Sequence, residues 1–197
     1  MSLDENMKAG VAAAGSTRLK VPQSANYAFT SSAIKLNNKP LALHTTSNKA
    51  LIDMRNEIDG PEGDEPKDMW KWLQKTSSKS IDKKIGNCGE IAAVALTELV
   101  KLKVKVPLEY VYVMDGTTMN AVVPHVFAVI GRTGGANKDD LSTNIGRPSS
   151  WGADAVVCDP WDRVVYPAAK YDMFWDGLKK HSQAPDSLTC VLIAYVI

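Results

Sequence analysis

Cysteine and histidine are scarce in this chain, with three of each among 197 residues. An odd number of cysteines, with no CxxC pair and no zinc-knuckle spacing, argues against a disulfide framework and a structural zinc site. Reduced thiols suit an intracellular working compartment. Charge of one sign is missing too: 23 Lys and Arg face 22 Asp and Glu, a formal net charge of +1. That balance gives no electrostatic case for a nucleic-acid or membrane-surface partner. No apolar run reaches about 18 residues, so no membrane span is expected. The N-terminal "KAGVAAAGS" is too short and too weakly apolar for a secretory signal, so any export needs another kind of signal. The glycines of "RTGGANK" lack a phosphate-loop ending, and the carboxylates of residues 57–68 lack EF-hand spacing. No cofactor and no metal is therefore expected.

What remains is an ordinary globular composition, 45% hydrophobic and 23% charged, with chain enough for one buried core. Residues 1–50 show weak periodicity and are rich in Ser, Thr, Asn, Lys and Ala. They read as a mobile tail with one or two short elements. "DGPEGDEP", 59–66, reads as an acidic linker. The division is thus an N-terminal extension with linker over 1–64, partly flexible, and a compact domain over 65–197.

In the domain, "KDMWKWLQK", 67–75, predicts a helix. A second follows over 88–102, with Ile91, Val94, Ala95, Glu98, Leu99 and Leu102 at helical spacing and all but Glu98 apolar. Four runs then read as strands: 107–114, 122–131, 155–161 and 188–197. The last three are apolar enough to be buried on both faces. A polar loop spans 132–152. "PAAKYDMFWDGLKK", from Pro167, predicts a late helix with Tyr171, Phe174, Trp175 and Leu178 as its apolar stripe. Helices first, then a mostly antiparallel sheet, is the α+β class.

The chemistry centres on "GNCGE". With Asn87 as N-cap and Glu90 at N3, the stretch is a capping-box variant that puts Cys88 in the first helical turn. Unpaired backbone N–H groups and the positive end of the helix dipole lie there, and both favour a negative sulfur. Gly86 and Gly89 keep bulk away from that sulfur, leaving room for a substrate backbone. The competing reading of Cys88 is a small buried core residue. His125 starts a buried strand whose same-face residues are Phe127 and Val129. It either hydrogen-bonds within the core or takes the thiol proton and returns it to a leaving amine. Asp159 ends the next strand, where a carboxylate is costly unless paired, and it is the candidate to orient the imidazole. Its competing role is a turn-forming Asp-Pro. If Asp159 faces His125, then Cys158 faces away into the core. Cys190 reads as core as well. His44 reads as solvent-exposed and His181 as a cation at a helix end, so neither is given a chemical role.

The motifs "GNCGE", "PHVFAVIGR" and "WGADAVVCDPWDRVVYPA", in that order, resemble papain-like and transglutaminase-like Cys-His-Asp enzymes over roughly residues 67–197. Within that group the sequence is most similar to bacterial effectors delivered into host cells. The resemblance implies a papain-like core with the nucleophile at a helix N-terminus, with Cys88 as nucleophile, His125 as general base and acid, and Asp159 as orienter. It implies a protein substrate, a host protein for an effector, and delivery by a specialised secretion system. Papain-like proteases usually carry an oxyanion-hole Gln before the cysteine. Here Ser80, Ile81 and Asp82 occupy that region, leaving the Cys88 N–H, with Asn87, as candidate donors.

All members of the group share attack of a thiolate on an amide to give a thioester. Water or a lysine amine then decides between deamidation and crosslinking of a Gln or Asn side chain, and a peptide-bond substrate makes the enzyme a protease. The lean of the resemblance favours the side-chain amide. So do Trp151 and Trp161, which flank the Asp159 strand as candidates to shield a thioester from water. Both are equally readable as core or rim aromatics. From another class, an inactive relative would bind a partner through loop 132–152.

Overall fold

The computed structural model describes residues 1–22, 41–59, 68–115, 125–133, 144–171 and 188–195. These form four helices, α1 (Leu3–Lys20), α2 (Leu41–Asp59), α3 (Met69–Lys83) and α4 (Cys88–Lys101), and five strands. The strands are β1 (Leu108–Asp115), β2 (His125–Ile130), β3 (Val156–Asp159), β4 (Val164–Pro167) and β5 (Leu188–Tyr195). They make one antiparallel sheet in the order β4-β3-β2-β1-β5. The α+β class is as expected.

Helix α4 is the axis of the molecule. Every residue from Glu90 to Leu99 is buried, as a helix with apolar side chains around most of its circumference must be. It packs with α1 and α3 beside it and the sheet beneath. On this helix face, Leu96 and Leu99 meet Tyr110, Val126, Ala128, Ile130, Val156 and Cys158. A second core covers the other face, where Phe127, Val129 and Val157 meet Trp151 and Tyr171. With a core on each side, β2 and β3 are buried at every position, which explains their unbroken apolar runs. The run in β5 has another cause. That strand is an edge, with Cys190 and Leu192 buried and Thr189, Val191 and Ile193 half-buried.

Several expectations need correction. The N-terminal stretch contains an 18-residue helix docked on the core, where short elements in a mobile tail were expected. Its fully buried residues are Asn6, Gly10, Ala13 and Thr17, and Leu3, Met7 and Ala14 pack part-buried against the core beside them. Hydrogen bonds and close approach add to that packing: Asn6 Nδ2 donates to the Asp154 carbonyl at 2.8 Å. A Cβ on Gly10 would lie 2.8 Å from Val165 Cγ1. Pro167 closes the edge strand β4, opposite Val156, rather than opening a helix. Proline is tolerated there because an edge leaves one side of the ladder unused. Strand β4 itself has no counterpart in the expected runs. Leu102 caps α4 and is 50% exposed, outside the apolar stripe assigned to it. The rest of the late helix, most of the acidic linker, the centre of loop 132–152 and His181 lie outside the described residues. So does the side chain of His44.

Candidate functional site

Asn87 precedes α4 with extended backbone angles and is buried. The Glu90 carboxylate returns to accept the Asn87 N–H at 2.9 Å, so the start of the helix is fixed by its own sequence. Cys88 is therefore the first helical residue, half-buried. Gly86 and Gly89 also lie close against their own protein neighbours. A Cβ on Gly86 would lie 2.8 Å from Glu90 Cβ, and one on Gly89 would lie 3.1 Å from the Tyr110 hydroxyl. That hydroxyl donates to the Gly89 carbonyl at 3.1 Å.

The sheet supplies the other two groups. Ala128 pairs with Cys158, and one more step of that register sets Phe127 opposite Asp159. His125 lies two residues further along the same face, diagonal to Asp159 and within side-chain reach. Imidazole Nε2 and Asp159 Oδ2 are 2.5 Å apart. His125 is 3% exposed and Asp159 wholly buried. The other carboxylate oxygen accepts the Asp162 N–H at 3.2 Å. Cys158 faces the opposite way, with its sulfur 3.5 Å from the Gly10 carbonyl. Burial pushes its thiol far up, as it does for Cys190, so neither is a reactive sulfur.

The Cys88 side chain hydrogen-bonds to His125. Nε2 is engaged by Asp159, so Nδ1 is the ring nitrogen left for a thiol proton. Burial on its own drives the imidazole towards neutrality. The Asp159 charge and hydrogen bond, with a smaller contribution from Cys88, outweigh it and raise His125 to about 10. The ring is held between a carboxylate and a sulfur, a setting that favours its protonated form.

The two tryptophans separate. Trp161 lies 5.2 Å from the imidazole, centroid to centroid, tilted by 53°. It is half-buried and packs with Val21, Ile91 and Val94, so the ends of α1 and α4 hold it in place. Trp151 belongs to the second core. It is 1% exposed, stands 6.4 Å from Phe127, and its indole N–H donates to the Ile145 carbonyl at 2.7 Å. The core reading of Trp151 is the one the structure bears out.

Two neighbours of the thiol were missed. Arg55, on α2, donates from Nε to Glu90 Oε1 at 2.6 Å. Tyr112, on β1, is half-buried; burial first, then the charge of Cys88, pushes its phenol up. Arg55 lies 35 residues from its partner, in a helix of weak periodicity, and no local pattern pointed to it. Tyr112 packs on the helix face of the sheet with Tyr110. Asp162, in the turn after Asp159, is raised to about 6 by burial and then by repulsion from Asp159.

Among the described residues, no group of three His, Cys, Asp or Glu side chains is placed to hold a metal ion. No helix among them is long and apolar enough to cross a membrane. Comparison with known proteins gives no relatives: no family model, no curated protein and no solved structure matches the chain.

Proposed function

We propose that this chain is a thiol-dependent acyl-transfer enzyme acting on protein amides, with Cys88 as nucleophile, His125 as base and acid, and Asp159 as orienter. One observation carries the reading: a buried imidazole hydrogen-bonded to a carboxylate on one side and to a helix-N-terminal thiol on the other. Proton transfer to Nδ1 leaves a thiolate beside an imidazolium. The sulfur attacks the amide carbon, an S–C bond forms, and the carbonyl electrons move to oxygen. N–H groups of the first turn of α4, Cys88 among them, receive that oxyanion. The imidazolium then protonates the amide nitrogen, the C–N bond breaks, and an amine or ammonia leaves a thioester.

The thioester goes to water or to a lysine amine. Trp161 beside His125 favours chemistry on a Gln or Asn side chain, because an indole at that place limits water around the reacting carbonyl. The reading is therefore a transglutaminase or deamidase, on a papain-like core, of the kind bacteria deliver into host cells as effectors. Support for the core is the nucleophile at the start of a helix that packs on an antiparallel sheet.

The test is to incubate the protein with host-cell proteins and map the products by mass spectrometry. Gln converted to Glu, Asn to Asp, or new isopeptide bonds are expected. New chain termini would move the reading to a protease. A Cys88 alkylated no faster than Cys158 or Cys190 would remove the enzyme altogether.

A further inference from the structure

Arg55 reaches the site from outside the triad. Its Nε is fixed on Glu90, the N3 residue of the same helical turn in which Cys88 is N1. Glu90 is almost fully buried, whereas the Arg55 side chain is 47% exposed, so the guanidinium bridges the thiol's helical turn and solvent. Among the described residues its only hydrogen bond is the one from Nε. Its two Nη groups, which make the flat fork suited to carboxylates, are thus available. Helix α2 is anchored to α3 by Trp72 Nε1 on Asp59 at 2.7 Å and by Lys79 on Glu57 at 2.7 Å. The guanidinium is therefore presented by a braced element.

We propose that Arg55 determines specificity at this site: its Nη groups bind a carboxylate flanking the reacting amide, so that the thiol works on amides in acidic sequence. The proposal rests on the reading of Cys88 as an acyl-transfer nucleophile. Glu90 has two functions in it. It caps the helix through one oxygen and aims Arg55 through the other. Without Arg55, a buried carboxylate would stand uncompensated in the same helical turn as the thiol and would repel any acidic ligand.

Two small alkylating agents of equal reach, iodoacetate and iodoacetamide, read the charge preference directly. Their second-order rates at Cys88 are measured on the full-length protein and on Arg55→Gln, Arg55→Lys and Arg55→Met, with Cys88 labelling located by mass spectrometry. Arg55→Gln is expected to lower the iodoacetate-to-iodoacetamide rate ratio by about five-fold. The lysine variant keeps most of the ratio. Arg55→Met, which keeps an unbranched stem without the charge, lowers it as far as Arg55→Gln. An unchanged ratio in Arg55→Gln overturns the proposal. If that variant has no thermal transition, an unchanged ratio in Arg55→Met overturns it instead. Slow iodoacetamide labelling of the unaltered protein, no faster than at Cys158 or Cys190, is a separate outcome that removes the nucleophile and the specificity together.

Discussion

Imidazole Nε2 of His125 lies 2.5 Å from Oδ2 of Asp159, with both residues buried. This pair gives the domain a pH response of its own. The folded state holds His125 at about 10 against an ordinary 6.5. Its contribution to stability is complete below pH 6.5 and is lost as the pH rises towards 10. Thermal melts across that range should show a falling midpoint. Asp159→Asn, the same shape without the charge, should flatten the slope and lower turnover by about 10³-fold. An undiminished slope in the variant would mean that another group sets it.

Cys88→Ala should abolish activity and leave the fold intact. The side chain is half-buried, and alanine suits a first helical turn. The melting midpoint should stay within about 2 °C of the unaltered protein. A larger drop would identify Cys88 as a packing residue. His125→Ala should be equally inactive, and near-normal turnover would remove it from the mechanism.

Asp162 sits where a charge is unwelcome. Burial and Asp159 raise it to about 6, so its contribution to stability is present below pH 3.8 and lost as the pH rises through 6. Asp162→Asn should therefore stabilise the protein at pH 8. With allowance for its partial exposure, the gain is about 1 kcal/mol, or about 3 °C. The gain should vanish at pH 4. Equal midpoints at pH 8 would show that solvent already screens the repulsion.

The glycine ahead of Cys88 lies hard against Glu90. A Cβ at residue 86 would lie 2.8 Å from Glu90 Cβ, an atom fixed to the helix backbone. Gly86→Ala should cost about 1–3 kcal/mol, because the helix start must shift to relieve the contact. Calorimetry checks this. A variant of unchanged stability with weakened substrate binding would return Gly86 to the substrate-facing role suggested by the sequence.

What was legible in the sequence was what is local. The N-cap at Asn87, the period-two placement of His125 with Phe127, and the outward turn of Cys158 relative to Asp159 all follow from neighbours a few residues apart. The diagonal meeting of His125 and Asp159 was inferable because β2 and β3 are so apolar that each polar group on them needed a partner. Arg55 was not inferable, since its partner Glu90 already had a local explanation as a cap. Helix α1 was misread because its fully buried positions are Asn6, Gly10, Ala13 and Thr17, small or polar side chains that resemble those of a tail. Strand β4 was missed because Tyr166 and Val164 line an edge, and Pro167 reads as a helix start.

Glu98 is the one polar break in the apolar stripe of α4, and it ties α1 to the core. Its carboxylate accepts from Lys20 Nζ at 2.5 Å, Ser16 Oγ at 2.5 Å and Lys101 Nζ at 2.8 Å. Burial opposes its charge, but these donors prevail and hold it at about 2. Its contribution is therefore complete above pH 4.5 and lost as the pH falls towards 2. Glu98→Gln should cost about 1–2 kcal/mol at pH 7, since two of the bonds are charge-assisted and the lysines are partly exposed. The deficit should shrink at pH 3, and limited proteolysis should cut within residues 1–22 sooner. A deficit of the same size at both pH values would show that packing around Ala13, rather than the Glu98 charge, holds α1 on the domain.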